Sequence, residues 1–166
     1  AAAYVITAAE GGSLHLDRLR TRAADFDPAT RDRLMAGAMV PVPWYLQAQR
    51  FRRWYHDRVM ELFSRVDILL APATPCTAPP IGQQTMVLDG VEMLVRPNIG
   101  IFTQPLSLIG LPVVAVPVRR PGGLPIGVQV VAAPGREDLA LRVAADLEAK
   151  GVCQAPVARG ETSWER

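Results

Sequence analysis

The sequence predicts an α/β protein: a buried sheet, expected to be mixed, covered by helices, with a small β-hairpin beside it. Three observations predict it. Short and almost wholly apolar runs at 67–71, 113–116 and 126–131 are too short for independent helices and suit strands buried on both faces. Longer runs at 44–66 and 136–150 repeat apolar residues at steps of three and four, as helices laid over such a sheet do. Asp89-Gly90 stands between Met86-Val87-Leu88 and Val91-Glu92-Met93. That pair marks a hairpin, because a type I′ turn needs positive φ at both central positions.

The elements follow in chain order. Residues 1–10 read as a helix stopped by Gly11-Gly12. Asp27-Pro28 opens a second helix, with Asp as cap and Pro at the first helical position. Leu34, Met35, Ala38 and Met39 give it an apolar face, and Pro41 and Pro43 separate it from the next. In that long third helix Phe51, Tyr55, Val59, Leu62 and Val66 form an inward stripe. Arg53–Asp57 and Glu61–Arg65 have the one-turn spacing of ion pairs. The arginines and aromatics at 50–55 admit RNA stacking, but a solvated, salt-bridged face explains them more simply.

Four prolines between 72 and 80 forbid regular structure after the first strand. The run at 104–117, QPLSLIGLPVVAVP, is apolar yet carries three prolines and a glycine. Thr103 caps a short helical turn, Gly110 ends it, Pro112 precedes a buried strand and Pro117 closes that strand. Pro121-Gly122-Gly123 turns the chain into the next strand. The last helix turns Leu139, Val143, Ala144 and Leu147 inward, with Gly151 as its stop. Residues 1–158 read as part of a single domain and 159–166 as a polar tail. Three strands make a small sheet. Its edges and faces call for cover from chain beyond these residues, so the chain alone is expected to be poorly soluble or oligomeric. The opening, a helix entered midway with no initiator Met, reads as a fragment.

The bulk figures exclude some classes. The chain has 166 residues, 49% hydrophobic and 20% charged, with a formal net charge of +2. That charge gives no case for nucleic acid, and no apolar run approaches the roughly 20 residues of a membrane helix. No secretory leader pattern is present, and Cys76 and Cys153 read as free thiols of a reducing cytoplasm.

The chemistry is mostly negative. Ser13, Ser64, Ser107 and Ser163 stand in no G-x-S-x-G context. Ser107 reads as a structural hydroxyl in a buried turn. His15 and His56 lack metal-ligand spacing, so no metal and no cofactor is expected. Lys150, the only lysine, sits at a helix end where its charge suits the dipole. No nucleophile with its base can be assembled, so no catalytic residue is assigned.

Three segments, VDILLAPATPCTAPPIG, TQPLSLIGLPVVAVPV and GGLPIGVQVVAAPGREDLALRVAADLE, occur in that order. They resemble the C-terminal third of the amidase signature family, over roughly residues 1–150. The resemblance implies an amide hydrolase whose Ser–Ser–Lys triad and oxyanion loop lie upstream of these residues. This chain would then supply sheet and pocket walls. MLVRPNIGIFTQPLSLIGLP resembles the carboxybiuret hydrolase subgroup of cyanuric acid breakdown, implying a small carboxylated urea as substrate. Glutamine-using amidotransferase subunits of the family would place an acid where Gly100 stands.

Physical chemistry is compatible with that reading. Arg96 or Arg33 could hold a carboxylate through a two-pronged fork. Asn98, Thr103 and Gln104 could offer neutral hydrogen bonds to a urea-like group. Arg33 reads equally well as a surface arginine. Gln129, polar inside an apolar strand, reads as a buried hydrogen-bonding spacer. The implied partners are the small amide or urea, the N-terminal part of the same enzyme, and a second copy or a small helper subunit, with no nucleic acid or membrane. The alternatives are a protein like the family's amidotransferase subunits and a non-catalytic assembly subunit.

Overall fold

A computed structural model describes residues 1–155; the expected polar tail at 159–166 lies outside the described residues. The chain divides into two compact units. One comprises Ala1–Arg65 with Gln104–Gly110, and the other Val66–Thr103 with the chain from Leu111 onward.

The first unit is helical. Helices α1 (Ala2–Leu14), α2 (Leu16–Thr21), α3 (Pro28–Ala38) and α4 (Val42–Leu62) are joined by the short α6 (Gln104–Leu108). Its buried residues include Ile6, Leu19, Leu34, Ala48, Val59 and Ile109. The Asp27-Pro28 start holds: the Asp27 carboxylate accepts from Thr30 N at 3.0 Å, satisfying a donor that the first turn leaves open.

Gly11-Gly12 does not stop α1, which runs on to Leu14. The two helices α1 and α3 touch through glycine instead. A Cβ on Gly12 would lie 2.5 Å from Ala38 N and Leu34 O, and one on Gly37 would collide with the Ala8 backbone. Close approach of two backbones outweighs glycine's poor helix propensity here.

Helix α4 ends earlier than its periodicity predicts. The Ser64 hydroxyl donates to Glu61 O at 2.7 Å and Arg65 N to Leu62 O at 2.9 Å, winding the chain into turns. Val66 therefore falls outside the helix and is 42% exposed. Phe51 and Leu62, expected inward, are nearly half exposed, and Phe51 packs on Trp54 and Tyr55 along its own helix. The Arg53–Asp57 pair forms at 3.1 Å, whereas Glu61 is met by Arg58, also at 3.1 Å.

The second unit holds the sheet. Strands β1 (Ile68–Pro72), β4 (Val113–Val118) and β5 (Ile126–Ala132) lie in the order β1-β5-β4. Among the described residues every pairing is antiparallel, where a mixed sheet was expected. The Pro121-Gly122-Gly123 turn folds β5 back on β4, so the two must run in opposite directions. Only β5 is deeply buried; Val130, Val131 and Ala132 have no exposed surface. The side strands are partly open, with Leu70 on β1 63% exposed. Pro117 lies inside β4, not at its end, paired with Gly127. An edge strand tolerates a residue that cannot donate.

Helix α7 (Glu137–Ala149) covers one face of the sheet. Leu139, Val143, Ala144 and Leu147 pack on Val116, Val130, Ala132 and Cys153, as the periodicity predicts. Both cysteines are free thiols. At the start of α7, hydrogen bonding from Arg136 holds the Asp138 carboxyl below its ordinary value. Its small stabilising effect is present above the ordinary carboxylate pKa and is lost as pH falls through the lowered one. Arg136→Ala should move the Asp138 titration upward, as read by carboxyl NMR.

The predicted hairpin is β2 (Thr85–Leu88) with β3 (Val91–Leu94). Asp89 at φ 49° and Gly90 at φ 77° supply its turn. Ile81 just before it is fully exposed, and Val87, Val91 and Leu94 are more than half exposed. The 166-residue chain alone should bind an apolar-surface dye and sediment as oligomers. A dye-silent monomer would contradict that expectation.

Candidate functional site

The expected pocket residues fall in both units. Arg96, Asn98 and Thr103 belong to the sheet unit, and Arg33 and Gln104 to the helical one. The first three share one continuous stretch, 95–103.

That stretch begins with the one-turn helix α5 (Val95–Asn98), directly after β3. Val95 is buried and its N–H donates to Gln84 O at 2.9 Å, tying the turn to the hairpin. Arg96 is exposed on this turn. Asn98 is half-buried, and its Nδ2 donates to Leu94 O at 2.9 Å. The backbone then continues in tight turns, Ile101 N to Asn98 O at 3.2 Å and Thr103 N to Gly100 O at 3.1 Å. The Thr103 hydroxyl also donates to Gly100 O at 3.1 Å, folding back on its own turn where a cap of the following helix was expected.

Gln129 anchors the end of this stretch. It is 3% exposed in the middle of β5, and its Nε2 donates to Pro72 O at 2.7 Å and to Phe102 O at 3.1 Å. The spacer reading of Gln129 is therefore correct, and the group it spaces is the 95–103 stretch. Its partners across the sheet are Ala71 and Ala115, short residues that leave room for the amide on that face.

In the helical unit, Arg33 is exposed on α3 and Gln104 is half-buried at the start of α6. Ser107 is exposed, contrary to its reading as a buried hydroxyl, because α6 turns Ile109 inward instead. His56 pairs with Asp57, Nδ1 to Oδ1, at 3.1 Å. Hydrogen bonding to His56, and then to Arg53, holds Asp57 below the ordinary carboxylate value. Lys150 pairs with Asp146 at 2.6 Å at the end of α7. None of these groups forms a nucleophile–base pair with a described serine.

One feature escapes the sequence reading. A cleft of about 590 Å³ opens beside α1, walled by Ala9, Leu14, Ala38 and Val42, with Glu10 and Tyr45 on its polar side. Tyr45 Oη donates to Glu10 Oε1 at 2.8 Å, and Gln49 Nε2 donates to Tyr45 Oη at 2.8 Å. Tyr45 and Gln49 sit one turn apart on α4, but Glu10 lies 35 residues upstream, so no local spacing signals the cluster.

The fold and the ordered motifs point to one protein family, and the comparison with known proteins agrees. The model of the Amidase family matches residues 2–141, and the chain belongs to that family. It is 52% identical over 157 residues to AtzE, a 1-carboxybiuret hydrolase subunit of Pseudomonas sp. (strain ADP), covering 93% of this chain and 34% of that protein. It is 34% identical over 146 residues to a glutamyl-tRNA(Gln) amidotransferase subunit of Dechloromonas aromatica (strain RCB), covering 85% of this chain and 29% of that protein. An inhibitor-bound structure, described as an unexpected vestigial protein complex revealing the evolutionary origins of an s-triazine catabolic enzyme, superposes with a TM-score of 0.88. Identity there is 50%, over 93% of this chain and 34% of that one. The crystal structure of an amidase superposes at 0.76 with 31% identity, over 84% of this chain and 32% of that one. The chain thus spans about a third of the length of these relatives. No helix among the described residues is long and apolar enough to cross a membrane.

Proposed function

We propose that this chain is the C-terminal part, residues 1–158, of the single amidase domain of a cytoplasmic hydrolase that cleaves the C–N bond of a small carboxylated amide or urea, carboxybiuret in the first place, within cyanuric acid degradation. The observation that carries the reading is the 52% identity to a carboxybiuret hydrolase subunit over 93% of the chain. The triad belongs to the N-terminal part of the same protein. In acyl transfer a serine attacks the carbonyl, a base relays its proton to the leaving nitrogen, and preorganised donors hold the oxyanion.

This chain's share is recognition. Arg96 grips the substrate carboxylate, with Arg33 as the second candidate, and Asn98, Thr103 and Gln104 donate to or accept from the ureido group. The relative is itself named as one subunit of its hydrolase, which favours a small helper chain as a further partner. The second reading, a protein like the glutamyl-tRNA(Gln) amidotransferase subunits, is supported by the 34% identity over 146 residues. The glycine at position 100 speaks against an ammonium-binding acid there.

The test is turnover by the full-length protein of carboxybiuret, biuret, glutamine and a simple aliphatic amide. Preference for carboxybiuret is the expected result. Preference for glutamine transfers the protein to the second reading, and no turnover of any amide removes the hydrolase reading.

A further inference from the structure

We propose that Gln129 is the positioning residue of the substrate-recognition stretch 95–103, an inference that rests on the reading of that stretch as pocket wall. Three observations carry it. The Gln129 side chain is one of the most buried polar groups described, at 3% exposure, and lies on the only strand of the sheet that is buried throughout its second half. It spends its amide on two main-chain carbonyls from elements far apart in sequence, Pro72 O at the end of β1 and Phe102 O next to Thr103. Its cross-strand neighbours on the same face are both alanines, Ala71 and Ala115, and two positions away Gly127 faces Ala73, where a Cβ would stand 2.8 Å from the alanine's own.

The small residues clear a trough across this face, and one long amide fills it. A rigid strand therefore fixes the height of Phe102 O, and through it the turns that carry Asn98 and Thr103. The other end of the stretch is already fixed by buried Val95 and its bond to Gln84 O. A recognition segment held at both ends meets its substrate with little ordering cost. Gln129 touches neither the reacting atoms nor the substrate; it acts through Phe102.

The test uses the full-length protein and Gln129→Met, which keeps the side-chain length and removes both donors. Two readouts are taken. Amide exchange at Ile101 and Thr103, both hydrogen-bonded here, should quicken about tenfold or more while the β4–β5 amides keep their protection. KM for the carboxylated substrate should rise about tenfold with kcat within about threefold, since the triad lies elsewhere. Unchanged exchange at both residues, or quickened exchange with KM unmoved, overturns the positioning role. A purely structural role would lower thermal stability and leave KM of the folded enzyme alone. If native protein turns over no amide, the functional reading fails, and the exchange result still decides whether Gln129 holds the stretch. If Gln129→Met does not fold, Gln129→Asn takes its place: it retains the amide but is one methylene too short to span both carbonyls, and the same outcomes apply.

Discussion

Gly37→Ala is expected to destabilise the helical unit by about 3 kcal/mol or more, the upper range for inserting volume into a closed contact. The added methyl would run into the main chain of Ala8 on α1. Backbone cannot rotate out of the way as a side chain can, so α1 and α3 would have to separate, opening the packing around Ile6 and Leu34. Gly11→Ala is the internal control. Its methyl would meet only the far end of the Leu34 side chain, at 2.7 Å, which can swing aside. That variant also gains about 1 kcal/mol of helix propensity, so its net effect should be small. Denaturant unfolding of the full-length protein measures both. Equal stability of Gly37→Ala and native protein would refute the close-approach account.

Arg96→Ala is expected to weaken recognition of a carboxylated amide by about 10- to 100-fold in kcat/KM, since a hydrogen bond to a charged group is worth about 1.5–3 kcal/mol. The loss should fall on KM, because the role proposed for Arg96 is to bind the substrate carboxylate and not to meet the reacting carbonyl. Arg96→Lys should recover only part of it: an ammonium is a point charge and cannot form the paired fork. An uncharged amide of similar size is the discriminating substrate, and its kinetics should not change. Equal losses on both substrates would show that Arg96 supports the fold of α5 and does not read the carboxylate.

Much of the fold is legible in the sequence because local chemistry decides it. Asp89-Gly90 has one comfortable turn available, and the turn has positive φ at both positions. Asp27-Pro28 can cap and start a helix, and does. The stripe of α7 faces the sheet because Leu139, Val143, Ala144 and Leu147 recur at helical spacing on one side, whereas Leu141, off that stripe, stands 60% exposed. The misreadings share a cause. Gly11-Gly12 looks like a stop, since propensity says nothing about a second helix passing within backbone contact. Pro117 looks like a strand end, since its tolerance depends on β4 being an edge. Phe51 and Leu62 look inward by period alone, yet they stand partly in the open.

The candidate site is legible in part. A glutamine within an apolar strand has to find partners, but which carbonyls it reaches depends on β1 and Phe102 arriving from 57 and 27 residues away. The Glu10–Tyr45–Gln49 cluster is invisible for the same reason.

The central place of β5 has a consequence for birth on the ribosome. Its partner β1 emerges roughly 60 residues earlier, and at about 5–20 residues per second that strand waits on the order of 3 to 12 s before its mate is made. During that interval Leu69 and Leu70 lack the strand they pair with among the described residues. Codons that slow translation between β1 and β5 should therefore lengthen chaperone dependence, whereas the same delay placed after β5 should be harmless.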